Sequence, residues 1–325
     1  MKKHFKKLLL MALMAVMAVG LIACGTDKSD NESTKEEKTS VTITSLDASK
    51  NEIELEVPYN PKRIAILDLA SLDIIDELGV GDRVVGMAST SIDYLEKYSN
   101  DASIKNLGTI KEADLEAVME CEPDIIFIGG RLSKSYDALS EIAPVVYLAT
   151  DTNEGLVNSV SKNAKTIASI FGMEDKVDSL MSDFVARIDA IKKISSGKTA
   201  LVGMTTSGSF NLLGNDGRCS LIGVEAGFNN LTAAGSTSTH GNESSFETVV
   251  QQNPDYIFVM DRDSAISTAG AKTAKEIVEN ELVKTTDAYK NNHIIYLEHS
   301  NVWYTAEGGI QALDIMLTDL EKGLK

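Results

Sequence analysis

The apolar and polar positions of residues 115–131 (LEAVMECEPDIIFIGGR) recur at 246–262 (FETVVQQNPDYIFVMDR), in register and without a gap. Seven identities carry the match: Glu116/Glu247, Val118/Val249, Pro123/Pro254, Asp124/Asp255, Ile126/Ile257, Phe127/Phe258 and Arg131/Arg262. Each copy opens with helically spaced apolar positions and breaks at Pro-Asp. It then runs through an unbroken apolar stretch, the pattern of a strand buried on both faces. An arginine ends each run. The repeat distance, 131 residues, is too long for a solenoid and predicts two similarly built lobes. Ligands of open α/β sheets bind outside the carboxyl ends of the strands, so Arg131 and Arg262 are expected to face one another across a cleft.

Around the repeats, residues 41–46 and 53–57 alternate like hairpin strands. Strand and helix patterns then alternate: strand 63–67, helix 71–78, strand 84–87, the first repeat, helix 135–142 and strand 145–147. Residues 153–171 predict a helix with Asn153 as N-cap and Gly172 as its stop. In 174–194, Val177, Leu180, Met181, Phe184, Ile188 and Ile191 form a helical stripe with acids in the first turn and lysines in the last. Free of Gly and Pro, it predicts one rigid connecting helix of about 30 Å, and hence modest lobe motion. Strand 199–205 restarts the alternation and helix 309–324 closes the chain. The expected fold is α/β, two lobes with mainly parallel sheets joined by one long helix. The segments are 1–23, 24–40, an N-terminal lobe 41–172, the connecting helix 173–196 and a C-terminal lobe 197–325.

Lys2, Lys3, Lys6 and Lys7 precede an apolar run over 8–22 that is too short for an ordinary membrane-spanning helix, the form of a signal peptide. It ends in Leu21-Ile22-Ala23-Cys24-Gly25, which resembles a bacterial lipobox with Cys24 as the lipidated residue, an anchor rather than a span. Residues 25–40 (GTDKSDNESTKEEKTS) have no aliphatic or aromatic side chain and are expected to act as a flexible tether reaching on the order of 20 Å. The protein is thus expected at the cell membrane, held on the extracytoplasmic face in the Gram-positive manner, as a monomer. The formal net charge is −17, and removal of residues 1–23 takes away four lysines and no acid, leaving −21. Such a body repels nucleic acid. Cys121 and Cys219 fall one in each lobe and are read as free thiols, since a disulfide between them would lock lobes that move.

A lipobox, two βα lobes, a long connecting helix and a helix–Pro-Asp–strand unit in each lobe resemble the binding lipoproteins of ABC importers for ferric siderophores, haem and cobalamin. The resemblance spans essentially the whole mature chain. It is strongest to the catecholate-siderophore branch, through Gly130-Arg131, Gly217-Arg218, Ser238-Thr239-His240-Gly241, Met260-Asp261-Arg262 and Trp303-Tyr304. It implies that Arg131, Arg218 and Arg262 hold the catecholate oxygens. His240 and Tyr304 would complete the shell of iron carried by a siderophore with fewer than three catechols. It also implies that Glu116 and Glu247, one per lobe, dock on arginines of a permease driven by its ATPase. No cofactor is expected to be bound permanently; Fe(III)-siderophore is the ligand.

The chemistry agrees. A ferric tris-catecholate is a trianion with aromatic faces, and guanidinium offers fixed charge, planar donors and weak hydration. Screening over roughly 8 Å at physiological salt lets a local arginine cluster outweigh distant acids. Imidazole is a competent iron ligand, and a phenolate is a hard oxygen donor whose pKa a metal depresses. Trp303, the only tryptophan, either walls the pocket or packs, and Tyr94 and Tyr98 are minor candidates for stacking on catechol rings. No GxSxG, GxGxxG or GxxxxGK[ST] motif is present, so nothing points to an enzyme. His240, His293 and His299 are too few and too scattered for a zinc or manganese binder. Haem is the stronger rival ligand, since His or Tyr would serve it and its propionates are anions; cobalamin does not call for three arginines. A non-transport surface lipoprotein would bind no small molecule.

Overall fold

Both repeat strands are interior strands one place from the edge of a sheet, each hydrogen-bonded to the strand that opens the βα alternation of its half, Ile64–Leu67 or Thr199–Thr206. The computed structural model describes residues 38–233 and 237–325. Cys24, the signal segment and almost all of the tether lie outside the described residues, as do positions 235 and 236 of the Ser/Thr-rich loop before the second repeat.

The first sheet has five parallel strands in the order Lys105–Asn106, Val84–Met87, Ile64–Leu67, Ile125–Ile128, Val145–Tyr147. The second sheet has a parallel centre, Thr199–Thr206 beside Tyr256–Asp261 beside Ile294–Tyr296, with Asn229–Asn230 added to the first of these. Ser209–Leu212 and Asn242–Glu243 extend it as antiparallel edge strands. Ile64–Leu67 and Ile125–Ile128 are buried throughout, as strands covered by helices on both faces must be.

The repeat is explained by one device used twice. Asp124 Oδ2 accepts the backbone N–H groups of Lys62 and Arg63 at 2.7 and 2.9 Å. Asp255 Oδ2 accepts the N–H of Thr199 at 2.8 Å and its hydroxyl at 2.9 Å. In each sheet the Pro-Asp carboxylate therefore pins the start of the neighbouring strand and sets the parallel register. The preceding helices, Leu115–Glu120 and Phe246–Gln252, are N-capped by Asp114 and Ser245.

The hairpin of Ser40–Leu46 and Glu52–Pro58 is antiparallel and packs on the first sheet, where Ser45 Oγ donates to the Tyr147 carbonyl at 3.3 Å.

Two helix expectations are corrected. The segment expected to be one unbroken connecting helix is two, Glu174–Leu180 and Phe184–Ser195, separated by a turn over 181–183. The apolar stripe survives, with Val177, Met181, Phe184, Ile188 and Ile191 buried. The break falls among Ser179, Ser182 and Asp183, where Ser182 Oγ donates to the Ser179 carbonyl at 2.9 Å. Such local bonding competes with helix propagation. The second piece is held to the last helix by Arg187, which reaches Glu321 at 2.7 Å and Asp314 at 2.5 Å. The other helix begins at Leu156, not Asn153: Asn153 turns back onto Asp151, and Gly155 occupies the cap position at φ +81°. Its C-terminal stop is Gly172 in the left-handed region at φ +67°.

Candidate functional site

Tyr304 is the hub of the site. It lies on the short helix Ser300–Thr305 that follows strand Ile294–Tyr296, and is 4% exposed. Three guanidinium groups surround its ring, with their central carbons 4.5 Å (Arg218), 5.4 Å (Arg131) and 5.6 Å (Arg262) from the centroid. All lie within cation–π range.

Each arginine is placed by local structure. Arg131 follows strand Ile125–Ile128 in the tight turn Gly130–Ser135 and donates to the Tyr304 carbonyl at 2.9 Å. Gly129 is required there, because a Cβ would sit 2.4 Å from Asp68 Oδ1. Arg262 follows strand Tyr256–Asp261 and donates through Nε to the Tyr304 hydroxyl at 3.1 Å and through Nη1 to Thr206 at 3.1 Å. Arg218, in the loop after Ser209–Leu212, donates to the Thr239 carbonyl at 2.7 Å, which fixes the His240 loop beside it. His240 Nε2 lies 3.3 Å from the Tyr304 hydroxyl, and its own carbonyl accepts from Asn211 at 2.9 Å.

All five side chains singled out from the sequence thus meet around one phenol. Burial pushes that phenol's pKa up, but the Arg262 hydrogen bond and the charges of Arg218, Arg262 and Arg131 outweigh it and leave it below its ordinary value. His240 is also lowered, by partial desolvation and then by Arg262 and Arg218, which favours the neutral imidazole. Arg131 is lowered by burial and by Arg218. A neutral imidazole, an acidified phenol and three cations suit a hard, multiply charged anion and a hard metal ion.

Two carboxyl groups belong to the same site and went unread in the sequence. Asp68 and Glu307 line a cavity of about 210 Å³ together with Arg131, Arg218, Tyr304 and Thr150. Burial pushes Glu307 up to about 7, against the Arg218 charge and the Cys219 N–H that it accepts at 3.0 Å. Burial likewise raises Asp68, against its bonds to Ser71 and the charge of Arg131. The only signal available was Glu307-Gly308-Gly309 at a helix start, which reads as a cap. A larger cavity of about 560 Å³ shares Arg218 and Glu307 and extends to the segment Tyr147–Asn163.

Other candidates sit elsewhere. Tyr94 and Tyr98 do not reach the arginines: their hydroxyls donate to Asp73 and Asp76, each at 2.6 Å, and both rings pack on the core. Trp303 is fully buried and donates through Nε1 to Asp319 at 2.9 Å, so it packs rather than walling the pocket. Glu116 and Glu247 are exposed, each in the first turn of its repeat helix. Cys121 and Cys219 are buried free thiols. Among the described residues no helix is long and apolar enough to cross a membrane.

Two α/β sheets thus carry a cationic, aromatic pocket at the carboxyl ends of interior strands, the arrangement of a substrate-binding protein. The chain belongs to the periplasmic binding protein family, whose model matches residues 64–300. It is 36% identical to the petrobactin-binding protein YclQ of Bacillus subtilis, over 98% of this chain and 99% of that one. The crystal structure of YclQ superposes with a TM-score of 0.81, covering 88% of this chain and 99% of that chain. The chain is 26% identical to the ferric-anguibactin-binding protein FatB of Vibrio anguillarum, over 82% of this chain and 84% of that one. The periplasmic catecholate-siderophore binding protein VctP of Vibrio cholerae superposes with a TM-score of 0.78 at 30% identity, covering 87% of this chain and all of that one.

Proposed function

We propose that this protein captures a ferric catecholate-type siderophore between its lobes and delivers it to an ABC permease energised by an ATPase. The convergence of three guanidinium groups on the ring of Tyr304, with His240 at its hydroxyl, carries this reading. Arg131, Arg218 and Arg262 bind the catecholate oxygens. His240 and Tyr304 fill iron positions that an incomplete set of catechols leaves open. The kinship with the petrobactin- and anguibactin-binding proteins supports the ligand class. Exposed Glu116 and Glu247, at equivalent positions of the two repeats, dock on the permease. Lipid on Cys24, after removal of residues 1–23, holds the monomer on the extracytoplasmic face. Residues 41–172 and 197–325 form the two lobes, with 173–196 between them.

The test is a fluorescence-quenching titration of the chain lacking residues 1–24 against a ferric bis-catecholate, a ferric tris-catecholate, haemin and cobalamin. Tight quenching by the catecholates alone is expected. Tight binding of haemin alone would keep the architecture and overturn the ligand, and silence across the panel would remove the transport reading.

A further inference from the structure

Two long helices begin without a cap of their own. Leu156–Phe171 starts after Gly155 and Ile310–Gly323 after Gly309, and neither glycine offers a side chain to the orphan N–H groups of the first turn. Both ends are satisfied from the opposite half of the chain. Glu225, which ends helix Ser220–Val224, accepts the N–H of Val157 at 2.7 Å. Asp73, on helix Leu69–Glu77, accepts the N–H of Gln311 and that of Ala312, each at 2.9 Å. The exchange is reciprocal along the chain: Glu225 of the second half caps a helix of the first, and Asp73 of the first half caps the last helix, which itself packs on Leu69–Glu77 in one continuous core. Close approach explains the glycines. A Cβ at Gly309 would lie 2.3 Å from Asp73 Cγ, and one at Gly155 would lie 3.1 Å from Glu225 Oε1.

Both contacts are a few residues of rigid backbone from the arginine pocket. Glu225 ends the helix that begins just after Arg218 and Cys219, and Cys219 N–H is bonded to the pocket carboxylate Glu307. Gly309 lies two positions after Glu307 and five after Tyr304, while Asp73 shares its helix with the N-cap Asp68, which lines the cavity beside Arg131. Asp73 is itself fixed by the hydroxyl of Tyr94 at 2.6 Å.

We infer that Asp73 and Glu225 are positioning residues, a pair of reciprocal interlobe caps that hold Arg131 of the first lobe at working distance from Arg218, Arg262 and Tyr304 of the second. The inference rests on the reading of the arginine pocket as the ligand site. The caps preset the width of the cleft before ligand arrives, so little ordering remains to be done on binding. They replace the rigidity expected from an unbroken connecting helix, which the turn over 181–183 interrupts.

The experiment measures cleft width in the ligand-free chain, by pulsed electron-spin distance measurement between labels at Glu141→Cys and Lys272→Cys, both exposed. Wild type is compared with Asp73→Asn, Glu225→Gln and the double variant. Tyr98→Phe, whose hydroxyl meets Asp76 and touches neither cap, serves as a control. The amides keep volume and protect folding while weakening the caps, and circular dichroism reports cooperative melting. The double variant is expected to show a broadened distance distribution, with wild type and Tyr98→Phe narrow, and a ferric bis-catecholate is expected to dissociate at least about fivefold faster from it, the usual worth of a single helix cap, since two are weakened. A distribution as narrow as wild type's, with only a lower melting temperature, would reduce the two carboxylates to local helix stabilisers and overturn the inference. Wild type that binds none of the catecholates would sink the pocket reading instead, and the ligand-free distances would still judge the caps.

Discussion

The hydroxyl of Tyr304 accepts the Nε–H of Arg262 at 3.1 Å, on an aromatic ring that two further guanidinium groups approach. The contact explains how a phenol that is 4% exposed stays acidified despite its burial. Tyr304→Phe keeps the ring and removes only the oxygen. A ferric bis-catecholate, whose iron has open positions, is expected to lose at least about tenfold in affinity, roughly the 1.4 kcal/mol of one modest bond, while a tris-catecholate loses less. Equal losses in parallel titrations would argue against iron ligation by Tyr304.

The arginines act as charged donors whose positions are set by backbone and hydroxyl acceptors. Arg131→Gln, Arg218→Gln and Arg262→Gln are each expected to weaken ferric catecholate binding by about 1.5–3 kcal/mol, the worth of a hydrogen bond to a charged group. The losses should shrink as salt is raised, since charge attraction is screened. Unchanged affinity in all three, measured by calorimetry, would refute the assignment.

Glu116 and Glu247 point to solvent from equivalent turns, away from the pocket's hydrogen-bond network. Reversing both, Glu116→Arg with Glu247→Arg, is expected to abolish uptake of iron-loaded siderophore by cells while leaving affinity within about twofold, in the range of surface changes. Loss of affinity in the purified variant would place the pair in the binding site.

Glu307 gives the protein a pH signature. Its carboxyl titrates at about 7 in the fold against an ordinary value of 4.5, so between those values the folded state holds more protons than the unfolded chain. Unfolding free energy therefore falls as pH rises through that window. Asp73, raised to about 6 chiefly by burial, acts in the same direction at the lower end. Melting temperatures of wild type and Glu307→Gln recorded from pH 5 to 8 are expected to converge at the acid end and to separate above pH 7, with the variant the more stable. Parallel curves would show that Glu307 does not titrate there.

Trp303 and Tyr304 are neighbours with separate roles. Trp303→Phe removes a donor from Asp319, whose side chain is 1% exposed, and is expected to cost about 2–3 kcal/mol of stability by chemical denaturation. Affinity for ferric catecholates should be unchanged. A selective loss of affinity with normal stability would bring Trp303 back to the pocket.

Local pattern determined much of this molecule. The strands 84–87 and 145–147, the hairpin, both repeat units and the stop at Gly172 follow from side-chain periodicity, Pro-Asp breaks and glycine's freedom at positive φ, interactions that act over a few residues. The same local logic put Arg131 and Arg262 at strand ends, and family likeness added Arg218, His240 and Tyr304. Tertiary structure alone decided that these five gather on a single ring, that Arg131 bonds a carbonyl 173 positions away, and that Asp68 and Glu307 join them. It also turned Tyr94 and Tyr98 inward to Asp73 and Asp76, and it capped two helices with carboxylates from the opposite half of the chain. No period in the sequence encodes such contacts, because each depends on where two separately folded segments come to rest. The interruption at 181–183 shows the converse limit: the apolar stripe runs on unbroken, while serine side chains competing for backbone carbonyls end the helix beneath it.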